Sequence, residues 1–102
     1  MLWLRLERKK NKDFTIVSNY HLKDGRLSLK AKGLLTVMIS LPKDWNFTVK
    51  GLAKLSADGE YSVRAAVKEL EKYGYLERKE RRDKSGRIAD TEYTIYEKPV
   101  SH

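Results

Sequence analysis

Apolar and polar residues alternate at the start of the chain. Leu2, Leu4 and Leu6 fall on one side of an extended backbone, and Trp3, Arg5 and Glu7 on the other. A period of two predicts a strand with one apolar face. The polar run Arg8-Lys9-Lys10-Asn11-Lys12-Asp13 reads as a turn, and Phe14-Thr15-Ile16-Val17 is rich in strand formers. Together they predict an N-terminal β-hairpin, with a helix over the same residues as the competing reading. The basic turn is either a solvated loop tip or a phosphate contact. The pattern then changes. Asp24-Gly25 marks a turn, and Ser28 carries a hydroxyl able to cap a helix. Leu34, Val37, Met38 and Leu41 recur at helical spacing until Pro42 stops the run. Leu35 and Ile39 widen that stripe, which suits packing against the N-terminal hairpin or a docking or dimer surface.

Trp45 and Phe47 lie in a short linker expected to fold back on the core. Thr48 is the next capping candidate, and Val49, Leu52 and Ala53 form the stripe of a short second helix. Ser56-Ala57-Asp58-Gly59 predicts a tight turn, with Gly59 free to take a positive φ. A third helix is expected over residues 60–73, where Val63, Ala66, Val67 and Leu70 fall within a narrow arc. Gly74 fits the position just past its end, where a left-handed residue closes a helix. A strand over 75–81, a loop over 83–87 and a strand over 88–96 predict a second hairpin, with Tyr93 and Ile95 on the face opposite Thr94 and Tyr96. Hairpin, helix, helix, turn, helix, hairpin is the order of an α+β winged helix-turn-helix domain, three helices with a C-terminal β-hairpin wing and an extra N-terminal β-hairpin. It spans residues 1–98, and 99–102 read as the start of a linker or a disordered tail.

Length and composition narrow what such a domain could do. With 102 residues the chain holds one domain. A net charge of +8 and a pI near 9.7 favour a polyanionic partner; docking on an acidic protein, or simple solubility, fits the charge as well. No cysteine is present, which excludes disulfides, thiolate catalysis and cysteine-held zinc. No apolar run approaches the roughly 20 residues of a membrane span, so a cytoplasmic protein with no membrane contact is expected. No serine has the glycine-flanked setting of a nucleophile elbow, and His21 and His102 are too far apart to share a metal by local spacing. Neither an enzyme nor a cofactor or metal is expected, and His21 reads as structural or exposed.

The third helix carries the candidate chemistry. Opposite its apolar stripe stand Tyr61, Arg64, Ala65, Lys68 and Lys72. A major groove admits a helix, whose first residues reach base edges. Arg64 suits guanine, Tyr61 and Ser62 could bond bases or phosphates, Ala65 permits close approach, and Lys68 and Lys72 suit phosphate. An ordinary solvated face, with Glu69 and Glu71 nearby, is the plainer reading. The hairpin after it carries Arg78, Lys79, Arg81, Arg82, Lys84 and Arg87; such charge either blocks edge-strand pairing or makes a wing, with Arg82, Lys84 and Arg87 beside the DNA backbone. Thr48 and Lys50, at the start of the second helix, suit a phosphate as well.

The run Ser18-Asn19-Tyr20-His21-Leu22, then Leu27 through Leu35, then Leu41-Pro42-Lys43-Asp44-Trp45, resembles the N-terminal winged-helix domain of phage-type replication proteins of low-GC Gram-positive bacteria, relatives of the DnaD-like replisome organisers. Gly51-Leu52-Ala53, the run from Val67 to Leu76, and Tyr96-Glu97-Lys98-Pro99 continue the likeness. The resemblance implies a double-stranded DNA-binding module for replication initiation or transcription regulation, with replication proteins as further partners and a second domain beyond a linker. The alternative is a winged helix used for protein–protein contact or as a homodimer.

Overall fold

The computed structural model describes residues 13–42, 44–45 and 47–100. Three helices, α1 (Leu29–Ser40), α2 (Val49–Lys54) and α3 (Glu60–Lys72), precede two strands, β1 (Leu76–Arg82) and β2 (Ile88–Ile95). The Ser28 hydroxyl accepts from the Ala31 N–H at 3.1 Å and so starts α1. At its far end Leu41 is extended (φ −82°, ψ 154°), as a residue before proline must be. The Thr48 hydroxyl caps α2 by accepting from the Gly51 N–H at 2.9 Å. Trp45 lies over Gly51 so closely that an added Cβ would stand 3.2 Å from its ring. The linker thus folds back, and Phe47 bridges Trp45 to Tyr93 with ring centroids 5.1 and 5.7 Å apart.

The core forms where α1 and α3 cross, with α2 across one side. Leu27, Ala31, Leu35 and Met38 meet Leu52, Val63, Val67 and Leu70, and Tyr75 and Leu76 close the base of the hairpin. The stripe of α3 is the expected one. That of α1 is turned from the expected one: Met38 is buried and Leu34, Ile39 and Leu41 pack at the edge of the core, but Ala31 and Leu35 form its centre and Val37 is exposed. Leu35 is fully buried, so it cannot belong to a docking or dimer surface. α1 is apolar on most sides, and small Ala31, which permits the close helix crossing, gave its spacing no weight.

Residues 13–18 carry no regular structure. The second strand of the expected N-terminal hairpin therefore does not form; its first strand and the basic turn up to Lys12 lie outside the described residues. Phe14 and Ile16 are exposed, Ile16 by 82%. A strand gains stability only when such side chains find a packed face, and a lone two-stranded hairpin is marginal. Gly59 also differs from expectation: it is the N-cap of α3 with φ −81°. The bend is made instead by Leu55 in ordinary helical geometry and by the Asp58 N–H donating to the Ser56 hydroxyl at 3.2 Å. The left-handed glycines are Gly74 (φ 83°) and Gly86 (φ 85°). After α3 the Tyr75 N–H returns to the Leu70 carbonyl and the Gly74 N–H to the Glu71 carbonyl, at 2.9 and 3.2 Å. This pair is the Schellman closure that requires a left-handed residue.

The loop before α1 is fastened by half-buried Asp24 and fully buried His21. The Asp24 carboxylate accepts from Arg26 Nε and Nη2 (3.0 and 2.7 Å) and from the Tyr75 hydroxyl (2.7 Å). These donors hold Asp24 well below the usual carboxylate range. Burial, then the Asp24 bond, pushes the Tyr75 phenol up to about 12. His21 is fully buried. Its Nε2 lies 2.9 Å from the Thr36 hydroxyl, which itself donates to the Lys32 carbonyl at 2.8 Å. That hydroxyl can only accept from His21, so the ring proton sits on Nε2. Nδ1 is then a buried lone pair without a partner among the described residues. Burial lowers the His21 pKa from the ordinary 6.5, against the opposing charge of Glu97 and aided by that of Lys32.

A stability prediction follows from the sign of this shift. Below about pH 6.5 the unfolded chain takes up the proton before the folded one, so unfolding free energy should fall with pH. The loss is at most about 1.4 kcal/mol per pH unit for one proton. Urea unfolding of wild type and His21→Gln at pH 7 and 5 checks this. An equal pH dependence in both proteins would show that His21 is not its source.

Candidate nucleic-acid interface

The side of α3 away from the core is set by its own buried stripe of Val63, Ala66, Val67 and Leu70. At about 100° per residue, Tyr61, Ala65, Lys68 and Lys72 lie centrally opposite that stripe. All four are exposed, Tyr61 by 86%. Lys72 Nζ stands 5.2 Å from the centre of the Tyr73 ring. Arg64 and Ser62 occupy the two flanks of this face. Arg64 is exposed and shares its flank with Glu71, whose carboxylate meets Arg78 of β1 at 2.6 Å; this is the flank beside the hairpin. Ser62 is half-buried and donates to Asp58 Oδ2 at 3.2 Å, toward the turn.

Three cations and three carboxylates make α3 neutral by sequence. Tertiary bonds change what it shows. Glu69 turns to the start of α1, where it accepts from both the backbone N–H and the hydroxyl of Ser28. Glu71 is held by Arg78, and the same pair raises the Arg78 pKa. Two carboxylates are thereby drawn to the flanks and hydrogen-bonded. Arg64, Lys68 and Lys72 form no ion pair among the described residues, and of the helix's acids only Glu60, in the first turn, is left exposed without a bond. Neither Ser28 nor Arg78 could be assigned this positioning role by spacing along the chain, because the partners come from different elements.

The hairpin is less basic than its cations suggest. Residues 76–95 hold six cations and five carboxylates. β1 and β2 are antiparallel, with Leu76 opposite Ile95, Arg81 opposite Asp90, and a register shift between Arg81 and Arg82. Arg81 binds Asp90 through two nitrogens at 2.8 Å each and approaches Glu92 at 3.6 Å. The guanidinium holds the Asp90 carboxyl below its usual range. Arg82 reaches across the turn to the Gly86 carbonyl at 2.9 Å and to Glu80 at 3.3 Å. Asp83 folds the tip by accepting from the Ser85 hydroxyl and N–H and from the Arg87 N–H, at 2.6, 2.9 and 3.1 Å. These donors, Ser85 foremost, lower the Asp83 pKa. Lys84 and Arg87 are exposed at the tip, and neither side chain is in an ion pair among the described residues.

On α2, Lys50 and Lys54 are exposed one turn apart, while the Thr48 hydroxyl already serves the Gly51 N–H. The structure thus gathers Tyr61, Ala65, Lys68 and Lys72 on one face, sets Arg64 beside the hairpin, and leaves Lys84 and Arg87 at its tip. Ser62 and Arg82 have internal partners. No helix among the described residues is long and apolar enough to cross a membrane. In comparison with known proteins, the profile of the helix-turn-helix domain family matches residues 25–76, from the turn before α1 to the first residue of β1. No curated protein and no solved structure matches the chain.

Proposed function

The chain belongs to the helix-turn-helix domain family, and from that premise we propose that it binds double-stranded DNA, with α3 in the major groove and the hairpin as a wing along the backbone. The observation that carries this reading is the sorting of charge on α3: Glu69 and Glu71 bond to Ser28 and Arg78, and the outward face keeps Lys68 and Lys72. A helix of that width and charge suits the major groove. Lys68, Lys72, Lys84, Arg87 and Lys50 would meet phosphates and fix register, with Thr48 beside Lys50. Arg64, on the wing side, would meet the strand between helix and wing. Arg82 would act by holding the tip, and Ser62 by holding the turn. The likeness of residues 18–22, 27–35 and 41–45 to replication organisers supports replication initiation or transcription regulation as the process served.

Arg64→Ala combined with Lys68→Ala should weaken binding of a labelled mixed-sequence duplex about tenfold or more at low salt, since hydrogen bonds from charged groups are the stronger kind. Fluorescence anisotropy measures it. Binding unchanged from wild type would remove α3 as the contact surface.

A second reading, a protein docked on α1, draws on the exposed Leu29, Val37 and Leu55. Leu29, Val37 and Leu55 border an apolar groove of about 320 Å³ between α1 and the turn before α3. Sedimentation at several concentrations separates the two: a stable dimer that binds no duplex favours the second.

A further inference from the structure

The centre of the α3 face has an unusual composition for a groove-reading helix. Residues in the first turns of such a helix point at base edges, and later ones drift toward the backbone. Here the two central residues of the first turns are Tyr61 and Ala65; Lys68 and Lys72 follow in later turns. The side chains best suited to bidentate reading of guanine or adenine are Arg, Lys, Asn and Gln. α3 has neither Asn nor Gln. Its one arginine, Arg64, lies on the flank shared with Glu71, which is bonded to Arg78 of β1. Ser62, on the other flank, is spent on Asp58. What faces outward at the reading end is an aromatic ring, 86% exposed, and one exposed methyl group.

The major groove offers one apolar group, the 5-methyl of thymine. We propose that Tyr61 and Ala65 read thymine through that methyl, and that the domain prefers sites for their methyl positions rather than for guanine acceptors. This rests on the DNA-binding reading above. Ala65, with no side chain beyond Cβ, lets the helix axis come close enough for contact. Tyr61 lays its ring edge beside the next methyl, and its hydroxyl stays at the groove surface.

The test uses the full chain and two 24-base-pair alternating A·T duplexes, one with thymine and one with uracil throughout. The exchange removes only methyl groups and leaves every phosphate and hydrogen-bonding edge in place. Each contacted methyl should contribute about fourfold in affinity, the transfer free energy of one buried methylene. With two methyls contacted, wild type should therefore bind the thymine duplex about fifteenfold more tightly than the uracil duplex. A G·C duplex should gain affinity when its cytosines are 5-methylated. Tyr61→Ala and Ala65→Gly should each bring the thymine-to-uracil ratio toward one while the salt dependence of binding persists. Equal affinity of wild type for both A·T duplexes overturns the methyl proposal and leaves DNA binding standing. Binding to neither duplex at low salt overturns both.

Discussion

Raising monovalent salt from about 50 to 200 mM should weaken duplex binding roughly a thousandfold. Lys50, Arg64, Lys68, Lys72, Lys84 and Arg87 are exposed and outside any ion pair among the described residues. Each phosphate neutralised by such a side chain releases condensed counterions and adds about −0.9 to the slope of log affinity against log salt. Six contacts give a slope near −5, and a fourfold rise in salt then costs about three decades. Variants separate the wing's contributors. Lys84→Ala with Arg87→Ala should lower the slope by about two. Arg82→Ala should leave it nearly unchanged, because that guanidinium is bound to the Gly86 carbonyl and Glu80. Anisotropy titrations at five salt concentrations supply the slopes. A flat salt dependence in wild type would rule out a phosphate-dominated interface, and a slope lowered as much by Arg82→Ala as by the tip pair would put Arg82 on the DNA.

Gly74→Ala should be the most damaging single substitution of a glycine. At φ 83° a side chain costs about 1–2 kcal/mol from contact with its own carbonyl. The added Cβ would also stand 2.2 Å from the Val100 carbonyl oxygen and 3.0 Å from its nitrogen. Backbone must move, and the bond from the Val100 N–H to the Gly74 carbonyl, 2.9 Å, goes with it. A total near 3 kcal/mol is expected, which lowers Tm by more than about 10 °C for a domain of this size. A chain ending at Lys98 isolates the two causes: there Gly74→Ala should cost only the conformational part, about 1–2 kcal/mol. Urea unfolding of the four proteins completes the cycle. An equal cost in both backgrounds would show that the Val100 contact contributes nothing.

What could be read along the chain was whatever depends on near neighbours. Caps at Ser28 and Thr48, the stop at Pro42, the stripe of α3 and the left-handed Gly74 are each decided within four or five residues, and each appears as expected. Misplaced features depend on partners far away. α1 centres its buried stripe on Leu35, with Leu34 at the edge and Val37 exposed, because α3 packs on the Ala31 side, and a helix apolar on most sides does not announce which side that is. Strand formers at 14–17 are not strand, since β structure needs a partner as well as propensity. The candidate site shows the same division. Tyr61, Ala65 and Lys68 follow from helical periodicity, whereas the withdrawal of Glu69, Glu71 and Arg82 into bonds with Ser28, Arg78 and Gly86 is a property of three-dimensional pairing.

Asp83 has one more consequence. Successive backbone N–H groups in a tight turn can cradle an anion, but at this tip the amides of Ser85 and Arg87 already hold the Asp83 carboxylate. A phosphate arriving there finds the cradle occupied. It can be gripped only by the long, rotatable side chains of Lys84 and Arg87. Such a tip follows a groove without gauging its width, so duplexes of differing minor-groove shape should be accommodated by side-chain rearrangement, leaving discrimination to the helix.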